Sequence, residues 1–91
     1  ALVQANMDLR NLDLTGLQLA LSVLPEAQLD NSLLQKTNLS NASLISSSFV
    51  AAKLDGTQLT KADASEAHFL EASLREVHGI GLELPIANFP V

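Results

Sequence analysis

The sequence predicts a solenoid of short stacked coils, and three observations predict it. Apolar residues recur at every fifth position, a second and mostly small residue stands two places before each of them, and the three phenylalanines fall twenty residues apart. From Leu9 the fifth positions read Leu14, Leu19, Leu24, Leu29, Leu34, Leu39, Leu44, Phe49, Leu54, Leu59, Ala64, Phe69 and Leu74, with no insertion or deletion. A five-residue period turns about 72° per residue, whereas an amphipathic helix needs about 100° and a half-buried strand about 180°. Neither element buries one residue in five. A coil does so if each pentad forms one short side and one corner and the coils stack to continue the core. Asn, Asp, Ser, Thr and Gly in the spacer positions favour turns over helix.

The pentads Ala52-Lys53-Leu54-Asp55-Gly56 and Ala72-Ser73-Leu74-Arg75-Glu76, with Thr37-Asn38-Leu39-Ser40-Asn41 and Ala42-Ser43-Leu44, show the pattern most clearly. They resemble the pentapeptide repeat family, whose loose motif is a small residue, Asp or Asn, Leu and two variable positions. The resemblance implies an all-β chain, a right-handed quadrilateral parallel β-helix with four pentads to a coil. At about 20 residues per coil and about 4.8 Å between strands, it implies about four to four and a half coils in a rod a little over 20 Å tall. Residues 1–76 are expected to form this β-helix, and 77–91 a degenerate last coil, a cap or a junction to a further domain.

In chain order, the first coil differs from the rest. Met7, Leu12 and Leu17 stand where later coils carry Ser, Thr or Ala, so this coil is expected to be wider or to pack against something preceding it. From Ser22 onward the second position is small. Residues n and n+20 then share a column, which places Leu9, Leu29, Phe49, Phe69 and Phe89 in one core column and Leu14, Leu34, Leu54 and Leu74 in another. Stacked rings add to the area buried, and Ala64 leaves volume beside Phe69. Gly16 and Gly56 share a corner column, as turn residues would. Val77-His78-Gly79-Ile80-Gly81 loses the central Leu, and Pro85 and Pro90 restrict the backbone of the remaining residues. Ile86, Phe89 and Val91 could support an end-to-end homodimer, which the resemblance makes reasonable.

Ninety-one residues make one domain. A net charge of -5 argues against direct binding of nucleic acid or anionic membranes. No apolar run is long enough for a membrane span, and zero cysteines exclude disulfides and Cys-based metal sites. His68 and His78, ten residues apart, fall on opposite sides of a four-sided coil and cannot share a metal. Ser48 and His68 share a column, but neither a nucleophile elbow nor a concave pocket accompanies them, and the glycines form no phosphate loop. No catalytic, cofactor or metal residue is assigned, and the chain is read as a non-enzyme.

Surface positions carry what remains. Leu33, Val50 and Leu70 form one apolar strip open to a protein partner, and Leu21, Val23, Pro25 and Ile45 form another on a different side. Glu26, Asp63, Glu66 and Glu83 make an acidic face, better read as solvated than as a copy of DNA phosphates, because Lys36, Lys53, Lys61 and Arg75 occupy other sides. The favoured function is a protein-interaction scaffold or spacer. The resemblance adds a second reading, a DNA-mimic inhibitor or protector of an enzyme such as gyrase. The start at Ala1 rather than Met suggests a third, the repeat domain of a larger bacterial effector. A soluble, cytoplasmic protein is the favoured setting, with a secreted effector as the alternative.

Overall fold

In a computed structural model that describes residues 1–79, each coil closes in twenty residues. Twelve parallel bridges join residue n to n+20 and fall into four ladders, which begin at Val3, Asp8, Asp13 and Gln18. Each ladder is one side of a four-sided coil. A side offers one bridged residue between two inward-facing neighbours, so the segments are too short to count as extended strands.

The backbone polar groups of a pentad are almost fully paired by this design, as Thr37–Asn41 shows. Thr37 N–H donates to Leu34 O across the preceding corner at 3.1 Å, and Asn38 N–H donates to Leu17 O in the coil below at 2.9 Å. Leu39 and Asn41 N–H donate to Gln58 O and Thr60 O in the coil above at 2.8 and 2.9 Å. Ser40, the first corner residue, has no backbone partner and donates to the Asn38 side chain at 3.0 Å. Pairing every N–H matters because an orphaned buried donor costs about 1–3 kcal/mol. At Pro25 the same first-corner position holds the one residue type with no N–H to satisfy.

Each corner turns tightly, and its second residue takes a positive φ. Fifteen consecutive corners from residue 6 to residue 76 show it, with φ from 56° to 73°, thirteen of them at residues other than glycine. Asn and Gly suit this region, but Leu21, Ala51, Lys36 and Glu26 adopt it as well. The ladder bonds on either side hold them there against a cost of about 1–2 kcal/mol each.

Inside, the central residues and the small second residues close-pack along the axis. Leu24, Leu29, Leu34, Leu39, Leu44, Phe49, Leu54, Leu59 and Phe69 are buried, as are Ala27, Ala42, Ala52, Ala62, Ala64 and Ala67. Phe49 and Phe69 stack with ring centroids 5.0 Å apart and planes within 2°. The buried hydroxyls are all bonded. Thr37 and Thr57 donate to Leu14 O and Leu34 O at 2.7 and 2.6 Å, Ser32 and Ser47 donate to Leu29 O and Leu24 O, and Ser22 accepts from Leu2 N–H. A hydroxyl at the second position therefore ties a side chain to the backbone where an alanine only fills space.

The two ends of the described coils differ from the middle. Leu74, expected in the core with Leu14, Leu34 and Leu54, is partly buried and packs against that core from its edge. The first coil keeps the register of the others, with bridges at Val3, Asp8, Asp13 and Gln18, while Leu12 and Leu17 remain 44% and 46% exposed. Leu9 and Leu14, also in this coil, are buried. Phe89 lies outside the described residues.

Candidate interaction surfaces

The side that begins at Val3 is built by the ladder Val3, Val23, Ser43 and Asp63, between a corner that carries Leu21 and one that carries Pro25 and Ile45. Leu21 is 66% exposed and Val3 73%, and Val23 and Ile45 are exposed beside them. This is the broadest apolar area among the described residues, and the sequence pattern identifies all of it except Val3. The strip expected from Leu33, Val50 and Leu70 is narrower. Leu70 is exposed, but Leu33 and Val50 are half-buried. Val50 N–H is also tied to Asp30 at 2.9 Å.

Of the expected acidic face, Glu26, Asp63 and Glu66 are among the described residues. Glu26 and Glu66 share a corner column but stand forty residues apart with Ser46 between them, and the Ser46 hydroxyl donates to Glu66 at 3.3 Å. Asp63 lies on the neighbouring ladder and accepts from Ser65 N–H and the Ser65 hydroxyl at 3.1 and 2.6 Å. Glu83, Ile86, Phe89 and Val91 lie outside the described residues.

Several carboxylates hold corners together. Asp55 accepts from the Ser73 hydroxyl at 2.6 Å and Arg75 N–H at 3.0 Å, and these bonds lower its pKa. Asp30 receives the Ser48 hydroxyl and Val50 N–H in the same way. Asp13 is lowered by Thr15, whose N–H lies 3.1 Å away. The Arg10 guanidinium grips both Asp8 oxygens at 2.9 Å and holds that carboxyl down at about 2. Asp8, Asp13 and Asp55, held toward the charged form, are caps rather than proton-transfer groups.

His68 pairs with Ser48 along its ladder, but the Ser48 hydroxyl donates to Asp30 rather than to the imidazole. His78 is bridged to Gln58 on the opposite side. Among the described residues, no group of His, Cys, Asp and Glu could hold a metal ion, and no helix is long and apolar enough to cross a membrane.

A groove of about 490 Å³ lies along the side that carries His78, lined by Lys36, Gly56, Gln58, Thr60 and His78. Sequence reasoning missed it, taking Gly56 for a turn residue and His78 for a histidine that cannot share a metal with His68. The available signal was the corner column Gly16, Lys36, Gly56, Glu76, where one missing side chain opens a gap between long ones.

The family model for pentapeptide repeats matches residues 22–60 and 52–78, with 8 copies of the repeat. The chain belongs to the pentapeptide repeat family. Solved members extend the likeness to the whole fold. A pentapeptide repeat protein from the cyanobacterium Cyanothece 51142 is 26% identical with a TM-score of 0.92, over 96% of this chain and 60% of its own. Another from the cyanobacterium Nostoc sp. strain PCC 7120, involved in the regulation of heterocyst differentiation, is 25% identical with a TM-score of 0.77, over 94% of this chain and 44% of its own. A plasmid-mediated fluoroquinolone resistance protein, 11% identical with a TM-score of 0.54 over 94% of this chain and 69% of its own, shares the fold alone. No curated protein matches the chain. Family and neighbours make the fold a right-handed β-helix. The chain spans three-fifths or less of the length of the two cyanobacterial relatives.

Proposed function

We propose that the chain is a non-enzymatic interaction rod, a β-helix of about four to four and a half coils that holds side surfaces at fixed spacing for protein partners. The observation that carries this reading is Leu21. Its φ of 65° is costly for a leucine and its side chain stands 66% in solvent, at a corner position that elsewhere holds Asn, Gly, Lys, Glu, Ser or Ala. Val3, Val23 and Ile45 widen the patch around it. A surface that keeps an apolar residue at such a site fits burial against a partner better than it fits solvation.

The test is a photo-crosslinking residue placed at position 23, with a matching probe at Lys53 on another side, in cells of the source organism. Position 23 should give a discrete adduct that Leu21→Asn abolishes while the unfolding midpoint of the purified variant holds or rises. Equal adduct patterns from both positions would remove the apolar side as a partner surface. DNA mimicry toward gyrase draws less support, because Ser46 separates Glu26 from Glu66 and Lys36, Lys61 and Arg75 stand on other sides. Within a longer protein, such as an effector, the same rod would serve as its interaction module.

A further inference from the structure

We infer that the groove lined by Lys36, Gly56, Gln58, Thr60 and His78 docks an acidic peptide segment of a protein partner. The inference rests on the interaction-rod reading but uses a different side. Gly56 makes the concavity: a Cβ there would lie 3.5 Å from Lys36 Cγ, so the lysine stem borders the space that any side chain at 56 would enter.

The lining is rich in donors without partners. None of the side chains of Lys36, Gln58, Thr60 and His78 forms a hydrogen bond or ion pair among the described residues. One step down the same ladder the polar groups are spent on each other, Asn38 Nδ2 donating to Gln18 Oε1 at 3.0 Å. Elsewhere Ser48 is taken by Asp30 and Ser73 by Asp55. An ammonium, an amide, a hydroxyl and an imidazole around one open hollow match clustered anionic oxygens.

Charge points the same way. Of the five Lys and Arg residues, Arg10 is held by Asp8, and the other four gather near the groove. Lys36 and Arg75 sit in the corner before this side, Lys61 in the corner after it, and Lys53 on the adjoining side. Asp55 and Glu76 are the opposing charges on that corner, and Asp55 already draws on Ser73, on Arg75 N–H and on the charges of Arg75 and Lys53. A chain of net charge -5 thus places four of its five Lys and Arg residues on the two corners and the one side that flank the groove. The lining also spans two coil steps, from Lys36 to His78, or about 10 Å at the strand spacing. Alternate residues of an extended peptide stand about 7 Å apart on one face, so a segment with neighbouring acidic side chains reaches along it where a single small anion would not.

The test titrates the chain with Gly-Glu-Glu-Glu-Glu-Gly, with the matching Gln peptide and with inorganic phosphate, read by amide chemical shifts. The Glu peptide should shift residues 56, 58, 60 and 78 and weaken with added salt. Lys36→Gln and Gly56→Asn should each weaken it about fivefold, the scale of one solvent-exposed ion pair. Asn stands at positive φ in four other corners, Asn6, Asn11, Asn31 and Asn41, so Gly56→Asn fills the groove without breaking the turn. Gly16→Asn, in the same column with nothing within 4 Å, is the control and should change affinity less than about twofold. Absence of binding, equal binding of the Gln peptide, competition by phosphate at the peptide's own concentration, or equal effects of the two glycine variants would each overturn the inference. Shifts centred on Val23 would overturn it too while leaving the apolar-side reading intact, and loss of the position 23 adduct with peptide binding retained would do the reverse.

Discussion

At the first corner position, chemistry is decided one side chain at a time. The coil leaves this N–H without a backbone partner, and the chain answers with a preceding Asp or Asn at Arg10, Thr15, Ser40 and Ser65, and with an Asp from the coil below at Val50 and Arg75. Asp8, Asp13 and Asp55 among them are held toward the charged form, so acid should loosen their corners. Asp8 sits at about 2 when folded, chiefly through the Arg10 side chain, against about 3.9 for an unfolded Asp. A folded value below the unfolded one gives stability that is complete above about pH 4 and disappears as pH falls through about 2. Asp13 and Asp55 are displaced in the same direction. Urea midpoints measured across this range should fall with pH, and Asp8→Asn should flatten the decline. Because the Asp8–Arg10 pair is half-exposed, 1 M salt should shrink the difference. An unchanged slope in Asp8→Asn would show that its carboxylate does not contribute.

For a single ladder and its column, most of the architecture is legible in the sequence. An unbroken five-residue period, with the four pentads to a coil that the family resemblance implies, leads to the twenty-residue register, and the phenylalanine spacing leads to the Phe49–Phe69 stack. That stack can be measured. Phe49→Leu and Phe69→Leu should each cost about 1–3 kcal/mol in urea unfolding, and the double variant should reveal a coupling of about 0.5–1.5 kcal/mol. Additive losses would mean that the rings contribute area alone. What the sequence hides depends on neighbours brought in from other coils. Leu21, Ala51 and Lys36 have no intrinsic preference for positive φ, and the ladder bonds impose it. Leu74 matches its column by type but lacks the same enclosure. The groove needs Lys36, Gly56 and His78 from successive coils, and no local motif joins residues so far apart in the chain.

At the scale of the whole rod, the bonds between coils among the described residues join only neighbouring coils. The bridges run n to n+20 and skip no coil, so stability accumulates step by step along the axis. Substitutions in distant coils should therefore combine additively, while those in one column should not. The apolar side is centred in the lower coils and the groove in the upper ones, on adjoining sides that share the corner column of Leu21 and Lys61. The inter-coil hydrogen bonds lie along the axis of that rod. A pull at its two ends would load them in sequence rather than together, so the rod would yield by peeling. Each twenty-residue coil would release about 60–65 Å of chain, the extended length less one strand spacing. Force traces should then show evenly spaced small steps, the behaviour of a spool rather than of a clamp.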